Sequence, residues 1–453
     1  MLKINIPDGA GYIIKELNKN GYEAYIVGGC VRDALLGRVP SDWDITTSAT
    51  PQDIKRIFRR TVDTGIEHGT VTVLTYEYAP ITSYEVTTYR VDGQYLDHRR
   101  PDSVSFTNSL SEDLKRRDFT INAMAYNDEQ GLVDLYGGCN DLKDGIIRCV
   151  GAADERFDED ALRILRAVRF AAQLSFDIES ETREAIKRHC NYLRDISAER
   201  IQTELTKLIT SKNPEKLVMA YELGITSVIL PEFNAMMETK QNNPYHIYNV
   251  GMHTIEVMKN IPDTPVLRYT ALLHDVGKPN TKQSGEDGYD HFYGHQEESR
   301  QMARQILRRL KLDNNTVDKT CLLIKYHDFG ISEDVSKKSI RRFISKLGAE
   351  NFEDFMYIRY ADMAGQSDYR LAERKQVIAK IRDTFNTIVE EKQCIRLADL
   401  KLNGSDLISM GMSPGKELGD VLKYLFELVL DNPELNEKDK LAKLACEYRK
   451  KTI

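Results

Sequence analysis

Two aspartates one residue apart, Asp42 and Asp44 with Trp43 between them, follow a glycine pair, Gly28 and Gly29, and an arginine, Arg32. The stretch AYIVGGCVRDALLGRVPSDWDITT reads as strand, glycine turn, helix and second strand. Side chains two apart on a strand share a face. The second strand would therefore aim both carboxylates at one point beside the turn. Paired carboxylates repel, and magnesium reconciles them, because it takes one or two carboxylates together with substrate phosphates. The backbone N–H groups of the glycine turn would cradle those phosphates, and Arg32 would add a bidentate contact. Two metals at such a point stabilise the attacking and leaving oxygens of an in-line displacement. The plainer reading, a solvated strand edge with two surface aspartates, leaves the glycine pair and Arg32 unexplained.

Further along, SEDLKRRDFTINAMAY (111–126) brings Lys115, Arg116, Arg117 and Asp118 together, with Ser111 as candidate N-cap of a short helix. FDEDALRILRAVRFAAQL (157–174) carries Leu162, Leu165, Val168 and Ala172 at helical spacing. One continuous helix is expected there, with Arg163, Arg166 and Arg169 along a flank and Asp160 one turn before Arg163. Glu85, in the β-rich run ITSYEVTTYRV, is either a third carboxylate facing the aspartate pair or an exposed strand residue. Six of the nine histidines fall between 246 and 327: His246, His253, His274, His291, His295 and His327. His274 is followed by Asp275, and Asp362 lies on a later helix. This second concentration of imidazole and carboxylate suits transition metals.

The elements that must position these groups follow from pattern. An amphipathic helix at 8–20 precedes the first strand, and a helix at 51–60 opens with Thr50 as N-cap and Pro51 at its first position. Residues 70–78 and 81–91 read as strands. Residues 92–105, polar and basic with Gly and Pro, read as a loop. From about 140 the chain is nearly all helical. With 453 residues, two to four domains are expected. Hydrophobic content of 41% suits a globular protein. No run reaches about 18 apolar residues, so no membrane span is expected, and the N-terminus lacks the apolar core of a signal peptide. Seven scattered cysteines without a C-x-x-C suggest reduced thiols and a cytoplasmic location. A net charge of −7 argues against a protein that coats polyanions generally, while leaving room for a local basic site.

Taken in order, GGCVRD (28–33), DWD (42–44), KRRDFTINAMAY (115–126) and EDALRILRAVRF (159–170) resemble the motifs of the bacterial class II tRNA nucleotidyltransferases, the CCA-adding enzymes, and of the related bacterial poly(A) polymerases. SAERIQTELTKL resembles the next helix of that family. The resemblance implies an α/β nucleotidyltransferase head, a small mixed sheet with helices, followed by all-α neck, body and tail. The divisions expected are a catalytic head at 1–140, a base-recognising neck at 141–210, a connector at 211–244, a histidine-rich domain at 245–370 and a tRNA-binding tail at 371–453. It further implies that Asp42 and Asp44 are catalytic and hold Mg²⁺; Glu85, where it faces them, would be a third catalytic carboxylate. Gly28, Gly29, Arg32, Arg117 and Asp118 would contact the nucleotide. Asp160 and Arg163 would read the base, with Arg166 and Arg169 beside them.

An Asp–Arg pair suits that reading. Cytosine and adenine each present an amino donor beside a ring-nitrogen acceptor. A carboxylate only accepts and a guanidinium only donates. Guanine and uracil present the reverse order, and each failed buried contact costs about 1–3 kcal/mol. The implied reaction is attack of a tRNA 3′ hydroxyl on the α-phosphate of CTP or ATP, with the tRNA acceptor end, ATP and CTP as partners. The loop DGQYLDHRRPDSV resembles the flexible loop of enzymes that add the complete C-C-A. A poly(A) polymerase, or an enzyme adding only CC or only A, shares the head motifs. The histidine region resembles the HD phosphohydrolases: His253, His274, Asp275 and Asp362 would hold a second divalent metal (Mn, Co, Ni or Mg). His291, His295 and His327 would meet phosphate or a further metal there. A phosphohydrolase whose head only binds RNA is the non-transferase alternative, and a monomer or homodimer is expected.

Overall fold

The computed structural model describes residues 3–78, 80–93, 104–330 and 335–452. Most of the loop expected at 92–105 lies outside these residues. The chain divides into two units. The first spans Met1–Asn234 with Arg309–Leu312, and the second spans Ala235–Arg308 with Asp313–Ile453.

In the first unit, α1 (Asp8–Lys19) precedes β1 (Ala24–Val27), α2 (Gly29–Leu35), β2 (Ile45–Thr47) and α3 (Pro51–Ile57). Thr50 caps α3 in a reciprocal capping box with Asp53. There follow β3 (Thr61–Gly65), β4 (Thr70–Leu74), β5 (Ser83–Thr88), the paired β6 (Arg90–Asp92) and β7 (Val104–Phe106), α4 (Leu110–Lys115), β8 (Met124–Asn127) and β9 (Gly131–Asp134). Seven strands form one sheet in the order β3-β4-β5-β2-β1-β8-β9. Only the β2–β5 pair is parallel, so the sheet is mixed, as expected. β1 lies next to its centre and all four of its residues are buried, which explains its unbroken apolar sequence. Helix α4 is capped by Ser109, whose hydroxyl accepts from the Glu112 N–H. The expected cap was Ser111.

After the head come α5 (Gly138–Asp144), β10 (Ile146–Ile147), α6 (Ala153–Glu159), α7 (Leu162–Leu174), β11 (Asp177–Ile178), α8 (Ser180–His189) and α9 (Ala198–Ile209). The single helix expected over 157–174 is two helices that part at Asp160, whose backbone is extended (φ −142°, ψ 102°). Asp160 Oδ1 accepts the N–H of Leu162 at 3.1 Å and starts the second helix. Its side chain thus performs an N-cap's task. Helix α7 is buried on nearly every side, its arginines Arg163 and Arg169 included. Helices α10 (Leu217–Glu222) and α11 (Ile225–Ile229) follow, then α12 (Pro231–Glu238) at the junction of the units.

The second unit is largely helical: α13 (Val250–Lys259), α14 (Pro265–Leu273) and α15 (Lys278–Thr281), a hairpin of β12 (Gln283–Ser284) and β13 (Asp290–His291), then α16 (His295–Arg309) and α17 (Asn314–Tyr326). It continues through α18 (Lys337–Leu347), α19 (Phe352–Ala364), α20 (Leu371–Glu390), α21 (Gly404–Ser409), α22 (Lys416–Asp431) and α23 (Lys438–Thr452). Val421, Leu425 and Val429 of α22 pack against Leu441 and Ala445 of α23 in a separate apolar cluster. Among the described residues no helix is long and apolar enough to cross a membrane.

Candidate active site

Gly28 turns the chain out of β1 with φ 80° and ψ −125°, a conformation other residues rarely adopt. A Cβ there would stand 2.9 Å from Arg117 Nη1, so the glycine also makes room for that guanidinium. Asp42 and Asp44 lie in irregular chain just before β2, not on the strand. The Asp44 carbonyl accepts from Val27 N–H at 3.0 Å, which ties this segment to β1. Alternation still operates: Trp43 is buried between two aspartates that open into one cleft.

That cleft has a volume of about 560 Å³ and is walled by Gly28, Gly29, Arg32, Asp42, Asp44, Arg117, Asp118, Arg166 and Arg169, with Asn122, Phe170 and Lys207. Protein surroundings and then the neighbouring Asp42 push the Asp44 carboxyl up to about 6. Arg117 opposes this and Glu85 adds to it. Glu85, on β5, does not line the main cleft. It shares a second cavity with Asp44, Thr70, Arg90, Arg116 and Arg117.

The cations are held by a continuous polar network. Arg32 donates to both oxygens of Asp33, at 2.9 Å each, and to Asn122 Oδ1 at 2.7 Å. Asn122 donates to Asp118 Oδ1 at 3.0 Å, and Arg166 donates to Asp118 Oδ2 through Nε (2.9 Å) and Nη2 (2.6 Å). Asp118, expected as a nucleotide contact, is buried and serves as the anchor of Arg166. Burial opposes its ionisation, yet Arg166 and Asn122 hold its carboxyl well below the usual range. Arg169 and Arg166 are each within ion-pair distance of Glu204 on α9, at 2.6 and 3.8 Å. The guanidinium groups of Arg32, Arg166 and Arg169 surround the ring of Phe170 at 5.0, 5.3 and 3.6 Å from its centroid. Each of these contacts is a cation–π attraction, closest for Arg169.

A smaller cavity of about 260 Å³ adjoins these residues, lined by Arg116, Arg117, Asp118, Asp160, Leu162, Arg163, Arg166 and Arg200. Asp160 and Arg163 both face it. Arg163 is fixed by Glu159, by the Arg156 carbonyl (3.1 Å) and by the Arg116 carbonyl (2.8 Å). Asp160 Oδ2 accepts from Arg200 Nη2 at 2.8 Å. Sequence reasoning missed Asn122, Phe170, Arg200 and Glu204 as parts of this site. Asn122 and Phe170 stand inside the motifs already quoted. Arg200 and Glu204 stand within SAERIQTELTKL, four residues apart on one face of α9.

In the second unit, His253, His274, Asp275, His295, His327 and Asp362 converge. Each histidine ring donates Nδ1–H to a backbone carbonyl: His253 to Gly365 (3.0 Å), His274 to Ala271 (2.8 Å), His295 to Phe292 (2.8 Å) and His327 to Ile324 (2.7 Å). In the neutral rings this leaves four Nε2 lone pairs turned inward. The Nε2 atoms of His253 and His274 are 3.4 Å apart, as are those of His295 and His327. Asp275 lies between the two couples. Its Oδ2 is 3.2 Å from His274 Nε2, and its Oδ1 is 3.5 and 3.7 Å from His295 and His327 Nε2. That Oδ1 is buried with no hydrogen-bond partner among the described residues. Ligand atoms of His253, His274 and Asp362, of His274, Asp275 and His327, and of His295, His327 and Asp328 form three groups spaced for a metal ion. His291 does not join them: it pairs with Asp287 at 3.1 Å on the hairpin and stacks on Tyr293.

A mixed sheet with two aspartates at a glycine turn, facing a basic cleft, defines a nucleotidyltransferase head. Residues 24–148 match the family model of the poly A polymerase head domain. Residues 175–237 match the "Probable RNA and SrmB- binding site of polymerase A", and 283–445 match tRNA nucleotidyltransferase domain 2. A CCA-adding enzyme of Levilactobacillus brevis is 53% identical over 432 residues, covering 95% of each chain. One of Ligilactobacillus salivarius is 52% identical over 219 residues, 48% of this chain and 53% of that protein. The crystal structure of the Bacillus stearothermophilus CCA-adding enzyme in complex with CTP matches with a TM-score of 0.72 and 30% identity, over 99% of both chains. The chain belongs to the CCA-adding enzymes, the CCA tRNA nucleotidyltransferases.

Proposed function

We propose that this chain adds C, C and A in turn to the 3′ end of tRNA, using CTP and ATP at a single site. The observation that carries this reading is the joining of two spaces. A cleft that sets Asp42 and Asp44 opposite four arginines suits a metal-bound triphosphate, and the adjoining cavity presents Asp160 and Arg163 to a base. Asp42 and Asp44 fit a divalent metal, since Asp44 bears the electrostatic strain of its acidic neighbour. When bound, magnesium would neutralise charge on the reacting phosphate and favour ionisation of the attacking hydroxyl.

The protein's own part is orientation and charge. Gly28 and Gly29 let backbone approach the phosphates. Arg32, Arg117, Arg166 and Arg169 spread positive charge along them, stabilising the negative charge that builds as pyrophosphate leaves. Asp160 accepts the amino group of cytosine or adenine, and Arg163 donates to the neighbouring ring nitrogen. Glu85, which shares a second cavity with Asp44, would be a third carboxylate where the tRNA 3′ end enters. The loop at 92–105 would serve the change from CTP to ATP, and the tail at 371–453 would hold the tRNA. A cytoplasmic location accords with that substrate and with seven free cysteines. Incubating the protein with a tRNA lacking CCA, and with CTP and ATP separately and together, tests the reading. C-C-A addition is expected; A-tailing from ATP alone would make it a poly(A) polymerase, and C-C alone a partial enzyme.

A second activity is favoured by the histidine cluster. Lys278 pairs with Asp275 Oδ2 at 2.7 Å and Arg359 with Asp362 Oδ2 at 3.2 Å, which leaves the unpartnered Asp275 Oδ1 and the inward lone pairs to favour a bound cation. Imidazole with carboxylate suits Mn, Co, Ni or Mg, and the two-sided placing of Asp275 suits a carboxylate shared by two ions. Such a centre would hydrolyse phosphoesters, 2′,3′-cyclic phosphates or nucleoside monophosphates among them. Elemental analysis after dialysis against Mn²⁺ tests it: bound metal that disappears in His274→Ala/Asp275→Ala supports the centre. Metal-free wild-type protein refutes it.

A further inference from the structure

The base cavity has a charged wall that nucleotide contact does not account for. Arg200 reaches it from α9, a helix later in the chain than the two that flank Asp160. The two base-reading groups are held in different ways. Arg163 is fixed by Glu159 and the Arg156 carbonyl of α6 and by the Arg116 carbonyl. Asp160 sits in the extended break between α6 and α7, outside either helix. One of its oxygens is taken by the Leu162 N–H and the other by Arg200 Nη2, at 3.1 and 2.8 Å. Arg200 Nη1 is buried with no hydrogen-bond partner among the described residues. The contact is therefore a single charge-assisted hydrogen bond that sets the rotation of the carboxylate.

We propose that Arg200 is a positioning residue for base selection: it turns the Asp160 carboxylate so that a remaining lone pair meets the exocyclic amino group of cytosine or adenine. The inference rests on the reading of Asp160 as a base contact. A carboxylate offers about four lone-pair sites, of which two are engaged here, so acceptors remain for the base. Without Arg200 the Leu162 contact alone leaves the second oxygen unrestrained, and the amino group loses its aligned acceptor. Triphosphate contacts are untouched, so the loss falls on discrimination between bases.

The test compares CTP with the triphosphate of pyrimidin-2-one riboside, which is cytidine without its 4-amino group. kcat/KM for single-nucleotide addition is measured with wild type, Arg200→Gln and Arg200→Lys, each first shown to melt cooperatively. In wild type, removing the amino group should cost on the order of 10- to 100-fold, the worth of one hydrogen bond to a charged group. In Arg200→Gln that ratio should fall to within about threefold. Arg200→Lys keeps the charge without the planar fork and should lie between them. Equal loss for both nucleotides in the variants, with the wild-type ratio preserved, would overturn the inference and leave the Asp160 reading intact. A wild type indifferent to the missing amino group would overturn both. If Arg200→Gln does not fold, an unchanged ratio in Arg200→Lys overturns the inference and a reduced one supports it.

Discussion

Glu204, one turn beyond Arg200 on α9, should govern stability and triphosphate binding without touching base choice. Glu204 is 4% exposed, and its partner Arg169 is 7% exposed. The two form an ion pair at 2.6 Å, and Arg166 stands at 3.8 Å. Burial lowers Arg169 to about 10, with Glu204 as its chief counterweight. Glu204→Gln preserves shape and removes the charge, leaving a desolvated guanidinium unpaired. Breaking a buried pair from one side costs about 3–5 kcal/mol. The retained amide acceptor places this case near the lower end, about 3 kcal/mol. For a unit of this size that corresponds to a fall in Tm of roughly 6–12 °C. Differential scanning calorimetry reads that fall directly. Arg166 and Arg169 line the cleft proposed for the triphosphate, so KM should rise for CTP and ATP together and their ratio should stay within about twofold. A variant that melts within about 2 °C of wild type, with unchanged KM, would refute the claim that Glu204 is the buried counter-charge of this cleft. A changed CTP/ATP ratio would refute the division of labour between Glu204 and Arg200.

Asp42→Ala and Asp44→Ala should each lower addition of both nucleotides by at least about a hundredfold with a native circular dichroism spectrum; survival of either addition would refute a single site. Arg163→Ala should let UTP or GTP compete, read as selectivity ratios in mixed-nucleotide assays. His274→Ala with Asp275→Ala should leave CCA addition within a few-fold of wild type in a protein whose melting curve shows it folded, while abolishing metal-dependent phosphoesterase activity. Asp113 is fully buried, and against that burial Arg117 and Arg116 hold its carboxyl below the usual range. A depressed carboxyl gives stability that is complete above its unfolded value and lost as pH falls toward the folded one. Melting temperatures should therefore fall below about pH 4 in wild type, and Asp113→Asn should be less stable at pH 7 with a flatter acid limb.

The sequence exposed what is local and hid what is distant. Spacing made the aspartate pair, the glycine turn and the run of neck arginines visible, because each is a pattern within a few residues. Ser109 was also legible: Ser109-x-x-Glu112 matches the capping pattern, whereas Ser111 has Leu114 at the corresponding place. The break at Asp160 was not. FDEDALRIL contains neither Gly nor Pro, and helical periodicity runs straight through it. The chain parts there because the Asp160 side chain starts a new helix and meets a guanidinium forty residues away. His291 shows the same limit from the other side. Counting histidines gathers it with the others, but its hairpin turns it toward Asp287, away from the cluster. The neck joins both cases into one argument. Asp118, Asp160, Arg166 and Arg169 each take their orientation from a partner outside their own segment. Two such partners, Arg200 and Glu204, come from α9. A helix whose sequence reads as ordinary amphipathic structure thereby fixes Asp160 and Arg169 together, and, on the roles proposed for them, a substitution on it should alter what the site accepts.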